Sequence, residues 1–305
     1  MVSVIPLFSS VAQLRASSFS LDAVPPRKDP QALLMCEPTH FDVVDAKNPF
    51  MVNSVGACDT VLAQRQWHDL RAAIEKLGYT VHTMPAVEGL EDMVFAANQV
   101  LPGERPDGTR YVVLANMVHA SRRREVPFYE SWFVDQGYEV MRISESQEEG
   151  PRFEGQGDAI WHPGKQLLWG AYGRRSERAA YERIAELTGA NVLLLELVNE
   201  RLYHLDTALC PLSPDTALIA PDAFSAEGLA LIRSVFKKVI EIPVEESSGN
   251  FAGNALPLGK HVILQRGSTR TCELLRAANY TPVEVDTSEY MKSGGSVFCM
   301  KMMVY

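Results

Sequence analysis

An amphipathic helix followed at once by a short apolar strand recurs five times in this 305-residue chain, and that repetition restricts the fold more than any other feature. The first helix is expected over Asp59–Leu77, where Leu70, Ala73, Ile74 and Leu77 recur at the i, i+3, i+4, i+7 spacing of one helical face. "GYTVHTMP" follows it. A second helix is expected over Pro127–Gln136 before "GYEVMRIS", and a third over Ser176–Thr188 before "ANVLLLEL". The fourth covers Ser225–Phe236 before "KKVIEIPV", and the last covers Thr269–Asn279 before "YTPVEVD". Two of the intervening stretches, "AIWHPGKQLLWGAYG" and "NALPLGKHVILQRG", read as hairpins around glycine turns. Five like units predict one repeat-built α/β domain over residues 29–305 rather than two unrelated halves.

Residues 1–28 are expected to form a flexible or loosely docked N-terminal arm. The arm has no acid before Asp22, several serines and a single arginine before "PPR", which leaves organelle targeting open, whereas no basic stretch precedes "VSVIPLF" as a secretory signal requires. A formal net charge of -9 gives no electrostatic case for nucleic acid or an anionic membrane and suits a cationic small partner. No apolar run reaches transmembrane length. The five cysteines are scattered and form no CxxC pair, which argues against a disulfide framework and a cysteine zinc site and for a reducing, cytoplasmic setting.

Polar residues interrupt the apolar pattern at a few places. "FEGQGDAIW" puts Glu154 and Asp158 on a glycine-punctuated turn, where two carboxylates clamp a cation, coordinate a metal or cap the turn. "RLYHLDTALCPL" embeds His204 and Asp206 in an apolar run, on one face if the segment is extended. That pair is either a proton shuttle with an orienting carboxylate or a buried packing pair. "EDMVFAANQV" sets Asn98 after an apolar strand, "VHASRRREV" groups His119 with Arg122, Arg123 and Arg124, and "EPTHFDVVDAKNPFM" holds His40, Asp42 and Asn48. Cys299, in "GGSVFCMKMMVY", is either a small buried hydrophobe or a nucleophile carried by a final strand. One reading assembles a metal hydrolase from His204, Asp206, Glu154 and His40. Another makes the chain a small-molecule binding protein. A third uses Cys299 and His204 for attack on the electrophilic carbon of a cation gripped by carboxylates.

Taken together, "MCEPTHFDV", "NPFM", "DMVFAANQ", "HASRRRE", "FEGQGDAIW", "GAYGRRS", "YHLDTALCPL" and "GGSVFCM" resemble the guanidine-modifying, or pentein, superfamily of arginine dihydrolases, arginine deiminases, dimethylargininases and amidinotransferases. The resemblance implies a five-bladed α/β propeller of ββαβ-type units with a central site. It implies Cys299 as nucleophile, His204 as general acid/base, and Glu154 and Asp206 as carboxylates that grip a guanidinium. Asp158, Asn98, Arg122, Arg175 and Asn48 are implied substrate contacts, with Asn98 matching the dihydrolase rather than the deiminase pattern. The implied activity is hydrolysis of arginine or a close derivative through a thiouronium-type intermediate. No cofactor or metal is implied, and a homo-oligomer stays open.

Overall fold

A computed structural model describes residues 7–146 and 149–305, so residues 1–6, the start of the expected arm, lie outside the described residues. In chain order the strands are β1 (Leu7–Phe8), β2 (Ala32–Cys36), β3 (Thr80–Met84), β4 (Val100–Glu104), β5 (Arg110–Leu114), β6 (Glu139–Met141), β7 (Ala159–Trp161) and β8 (Leu167–Tyr172). They continue as β9 (Asn191–Glu196), β10 (Leu209–Ser213), β11 (Thr216–Ile219), β12 (Lys238–Glu241), β13 (Leu256–Leu258), β14 (His261–Gln265), β15 (Thr281–Val285) and β16 (Met302–Val304).

These strands form five separate sheets, none closed on itself: β16-β2-β3, β4-β5-β6, β1-β9-β8-β7, β10-β11-β12 and β13-β14-β15. Every sheet combines one antiparallel pair with at least one parallel pair, such as β4 against β5 and then β5 beside β6, and the sheet of β1, β9, β8 and β7 has two parallel pairs. A parallel partner cannot be reached by a tight turn, so a helix must carry the chain back between the two strands. Helices do so at Thr60–Lys76, Val126–Asp135, Ala180–Thr188, Ala226–Val235 and Thr269–Ala277, within a few residues of the five expected. The first sheet alone borrows its antiparallel strand from far along the sequence, with Met302 opposite Leu34.

Local chemistry sets the helix ends. Asp59 and Ser225 cap theirs by accepting from the backbone N–H of Leu62 and Gly228. The third helix starts later than expected, at Ala180, because Ser176 is used elsewhere: its hydroxyl donates to Asp158 and accepts from the Glu154 N–H. The helix over Thr60–Lys76 buries Ala63, Trp67, Leu70 and Ile74 on one face, with Ala73 and Leu77 partly covered. Each fully buried leucine or isoleucine there contributes about 1.5–3 kcal/mol. The described part of the arm finds partners: Leu7 and Phe8 pair in parallel with Val192 and Leu193 of β9, and Phe8, Leu14 and Val24 are buried. Its apolar residues thus extend the third sheet instead of standing in water. None of the helices among the described residues is long and apolar enough to cross a membrane.

Candidate active site

Five loops converge, each just ahead of the first strand of a sheet. Asn98 stands before β4, Glu154 and Asp158 before β7, His204 and Asp206 before β10, Asn254 before β13, and Cys299 before β16. One pocket is lined by Asn48, Asn98, Arg122, Arg175, His204 and Cys299 together with Lys47, Asp92, Phe95, Tyr203 and Ser293. Its free volume is about 20 Å³, room for about one water, so a larger guest enters only as lining side chains shift.

Cys299 lies in the turn ahead of β16, not within the strand. Its thiol donates to Asp206 Oδ2 at 3.1 Å and accepts from Asn254 Nδ2 at 3.1 Å. Burial and the neighbouring Asp206 raise its pKa well above the ordinary thiol value and favour the neutral thiol. Asp206 is itself pushed up to about 7 by burial, partly offset by the Cys299 hydrogen bond and the Lys301 charge. Its Oδ1 has no partner.

His204 and Asp206 do not share the face of an extended segment, because Leu205–Thr207 form a tight helical turn in which Thr207 Oγ1 donates to the His204 carbonyl at 2.7 Å. The turn aims the two side chains at different partners in one site. His204 Nε2 lies 2.7 Å from Glu154 Oε2. Glu154, 0% exposed, also accepts from the Val118 N–H at 3.0 Å and faces Arg175 Nη1 at 3.6 Å. Burial works to raise its pKa, but Arg175 and the His204 hydrogen bond outweigh it and hold the carboxyl well below the usual range. Arg175 in turn stacks over the Tyr203 ring, 4.6 Å from its centre.

The remaining expected residues fall into distinct roles. Asp158 is turned away from the pocket: Oδ1 accepts from the Leu205 N–H at 3.1 Å and Oδ2 from Ser176 Oγ at 2.5 Å, and burial pushes its pKa up to about 6. Arg122 lines the pocket through its Asn98 side, 3.5 Å from Oδ1, while Nε and Nη2 hold Glu125 bidentately at 2.9 and 3.1 Å. Asn98 precedes β4 instead of following a strand, because residues 91–94 form a helical turn, and its Nδ2 has no partner. Asn48 caps its own turn from Phe50 and Met51 and donates to the Ser293 carbonyl at 2.9 Å. His40 is exposed and outside the pocket, and no cluster of three or more candidate metal ligands exists among the described residues.

Two glycines shape this site. A Cβ at Gly157 would collide with the Asn98 side-chain amide, and one at Gly295 with the Phe95 ring, so the "FEGQGD" and "GGSVFC" glycines let those side chains approach. Sequence reading missed Asp92, Lys47, Asn254 and Lys301. Lys47 is clamped by Glu91 at 2.7 Å, Asp92 at 3.0 Å and Asp45. Lys301 is fully buried, lies over the Phe298 ring, and its Nζ has no hydrogen-bond partner. The one local signal for Asn254 was its place, two residues ahead of an apolar strand, which it shares with Asn98.

Residues 40–305 match the family model described as N,N dimethylarginine dimethylhydrolase, eukaryotic. The bifunctional arginine dihydrolase/ornithine cyclodeaminase ArgZ of Synechocystis is 34% identical over 89% of this chain, which spans 37% of that relative's length. An N(G),N(G)-dimethylarginine dimethylaminohydrolase of Mycobacterium tuberculosis is 33% identical, with 92% of this chain and 89% of the relative covered. Among solved structures, the N-terminal domain of ArgZ bound to substrate superposes with a TM-score of 0.84 at 32% identity, covering 90% of this chain and 97% of that one. A variant of that domain, covalently bound to a reaction intermediate, matches with the same score and coverage of 90%.

Proposed function

The chain belongs to the dimethylarginine dimethylhydrolase family, and from that premise we propose that it hydrolyses the guanidinium group of arginine or a close derivative, with Cys299 as nucleophile. The observation that carries this reading is the geometry around one pocket: a thiol 3.1 Å from a carboxylate on one side, and a histidine 2.7 Å from a carboxylate on the other. The relative's substrate-bound and covalently bound domains support it.

The chemistry follows from these residues. A planar guanidinium presents a row of N–H donors that match carboxylate oxygens. Entering beside Asp206, it competes for Oδ2 and favours ionisation of Cys299, whose proton leaves to solvent. Sγ attacks the guanidinium carbon and forms a C–S bond. His204, oriented by Glu154, protonates the departing amine as the C–N bond breaks, leaving a thiouronium on Cys299. His204 then takes a proton from water as it adds to that carbon, and C–S cleavage returns the thiolate and a ureido product, citrulline from arginine. A dihydrolase repeats the cycle with a second water, releasing ammonia, carbon dioxide and ornithine. No metal or cofactor enters these steps.

In this reading Asn98, Arg122, Arg175, Asn48 and Asp158 are substrate-side residues, Asp158 acting through the Leu205 N–H and Ser176 instead of by contact. The five sheets are the blades of a propeller in residues 29–305, supported by the way three of the loops ahead of strands line one pocket while Glu154 and Asn254 of the other two contact its His204 and Cys299. The five free cysteines suit a reducing, cytoplasmic setting. Dimethylarginine is the second substrate reading, favoured by the family model over residues 40–305.

The test is incubation with arginine and, separately, asymmetric dimethylarginine, with products read by mass spectrometry and Cys299→Ser as control. Ornithine plus ammonia from arginine establishes a dihydrolase, and citrulline alone a deiminase. Citrulline plus dimethylamine from the methylated substrate selects dimethylargininase. Transfer of the amidino group to an added amine marks an amidinotransferase. Silence on all of them overturns the enzyme reading in favour of a binding protein.

A further inference from the structure

The Cys299 sulfur touches two polar groups with opposite effects on its ionisation. Asp206 Oδ2, at 3.1 Å, accepts the thiol proton and, as an acid, disfavours a thiolate. Asn254 Nδ2, also at 3.1 Å, can only donate. The histidine that cysteine chemistry leads one to expect beside the sulfur is engaged with Glu154 instead. We propose that Asn254 is a catalytic residue: its amide is the side-chain donor to the Cys299 thiolate and fixes the turn that presents it. This deepens the assignment of Cys299 as nucleophile and rests on it.

Backbone partners dictate the amide's orientation. Oδ1 accepts from the N–H of Ser296 at 3.1 Å and of Cys299 at 3.2 Å, two groups that can only donate. Nδ2 must therefore point the other way, where it donates to the Asp206 carbonyl at 3.0 Å and to Sγ. Two acceptor and two donor positions are all filled, and each contact lies on the nucleophile's turn or on Asp206. The loop that carries Asn254 is seated against the Leu205–Thr207 turn that carries Asp206, since a Cβ on Gly253 would collide with the Thr207 carbonyl. Asn254 is fully buried, so water does not compete for the sulfur from that side. A hydrogen bond to a charged acceptor in a dry site shifts the acid–base equilibrium by about one to two pKa units, a tenfold to hundredfold change in thiolate fraction. The charged or titratable groups around the pair are Asp206, Lys301, Arg122 and Tyr203, and the Ser296 backbone N–H also favours the thiolate. None of those side chains donates a hydrogen bond to Sγ among the described residues.

Asn254→Asp keeps an acceptor for both backbone N–H groups but puts a carboxylate in place of the donor, so it is read beside Asn254→Leu, which removes the donor without adding charge. The readout is the pH dependence of iodoacetamide alkylation at Cys299, resolved from the other four cysteines by peptide mass spectrometry. The expected result is at least a tenfold slower alkylation at pH 8 and a midpoint moved up by at least one unit, with the arginine kcat falling more than KM rises. A folded Asn254→Leu protein with the wild-type midpoint overturns the proposal and leaves Asn254 a strut, even if Asn254→Asp shifts, because that shift is then the added charge alone. A second measurement uses the wild-type protein and so does not depend on the variant folding. The Asn254 side-chain amide proton resonance should move with the thiolate absorbance at 240 nm and stop moving in Cys299→Ser. A resonance that stays put through that titration also overturns it. Alkylation needs no guanidine, so failure of the substrate reading and failure of this inference are separately visible.

Discussion

The two walls of the site are built on opposite principles. On the Glu154 wall the buried carboxylate is matched: a backbone N–H, His204 and Arg175 surround it, and Arg175 and His204 depress its pKa. On the Cys299 wall the buried groups are mismatched. Asp206 Oδ1 and Lys301 Nζ lack partners, Asp206 is pushed up and Lys301 down to about 7, each chiefly by burial. Buried unpaired groups cost stability and persist where a ligand completes them. In the proposed reading a bound cation supplies the partner that Asp206 Oδ1 lacks, whereas Lys301 Nζ, a donor, gains none from it.

Removing charge from the matched wall should do the most damage. Glu154→Gln leaves Arg175 and His204 without their anion, and the expected loss in kcat for the active guanidine is about 10²–10⁴-fold. A rate within tenfold of wild type would show that the matched wall is scaffolding. On the other wall, a carboxyl pushed up to about 7 is mostly protonated at pH 6 and cannot hold a cation. kcat/KM should therefore fall as pH drops through about 7, and Asp206→Asn should lower it by about 10–10²-fold at pH 8 and flatten that limb. A limb that survives the substitution belongs to Glu125, which burial also raises to about 7.

Asn98→Asp adds a carboxylate beside Arg122 and fills the place of the unpartnered Nδ2. If Asn98 governs the second hydrolysis, product analysis with arginine should show a severalfold shift from ornithine to citrulline, and an unchanged ratio would sink that role. The smallest effect is on stability. Lys301 titrates at about 7 in the fold against an ordinary 10.5, so as pH falls from 10.5 to 7 the unfolded chain takes up a proton that the folded chain refuses. The Lys301 contribution to stability therefore declines over that window, against the opposite contribution of the buried thiols. Lys301→Met should remove that contribution and raise Tm at pH 8 by roughly 3–6 °C, read by calorimetry.

How much of this was legible in the sequence depended on range. The face of the Thr60–Lys76 helix and the Asp59 and Ser225 caps follow from spacings within one or two turns, and they were readable. Polar side chains in apolar runs marked His204, Asp206 and Glu154, and the family resemblance tied them to Cys299. Asn254 escaped because its surroundings, "FAGNALPLG", read as an ordinary turn before a strand, and its meaning comes from a sulfur far along the chain. Ser176 was misread as a helix start for the same reason, its hydroxyl being committed to Asp158 and Glu154. Lys301 carries no local mark at all, since only packing reveals that a lysine after "FCM" is sealed from water.

The pairing of β16 with β2 sets an order of events in biosynthesis. A ribosome releases Ala32–Cys36 early, and that strand waits for its antiparallel neighbour until Met302–Val304 emerge. Contacts between such distant segments form slowly because the intervening chain must first be arranged. The thiol at position 299 therefore meets Asn254 and Asp206 only as the last sheet-closing segment docks. A chain that lacks Met302–Val304 leaves β2 without its antiparallel partner, and one cut ahead of Cys299 leaves Asn254 and Asp206 without the sulfur they contact.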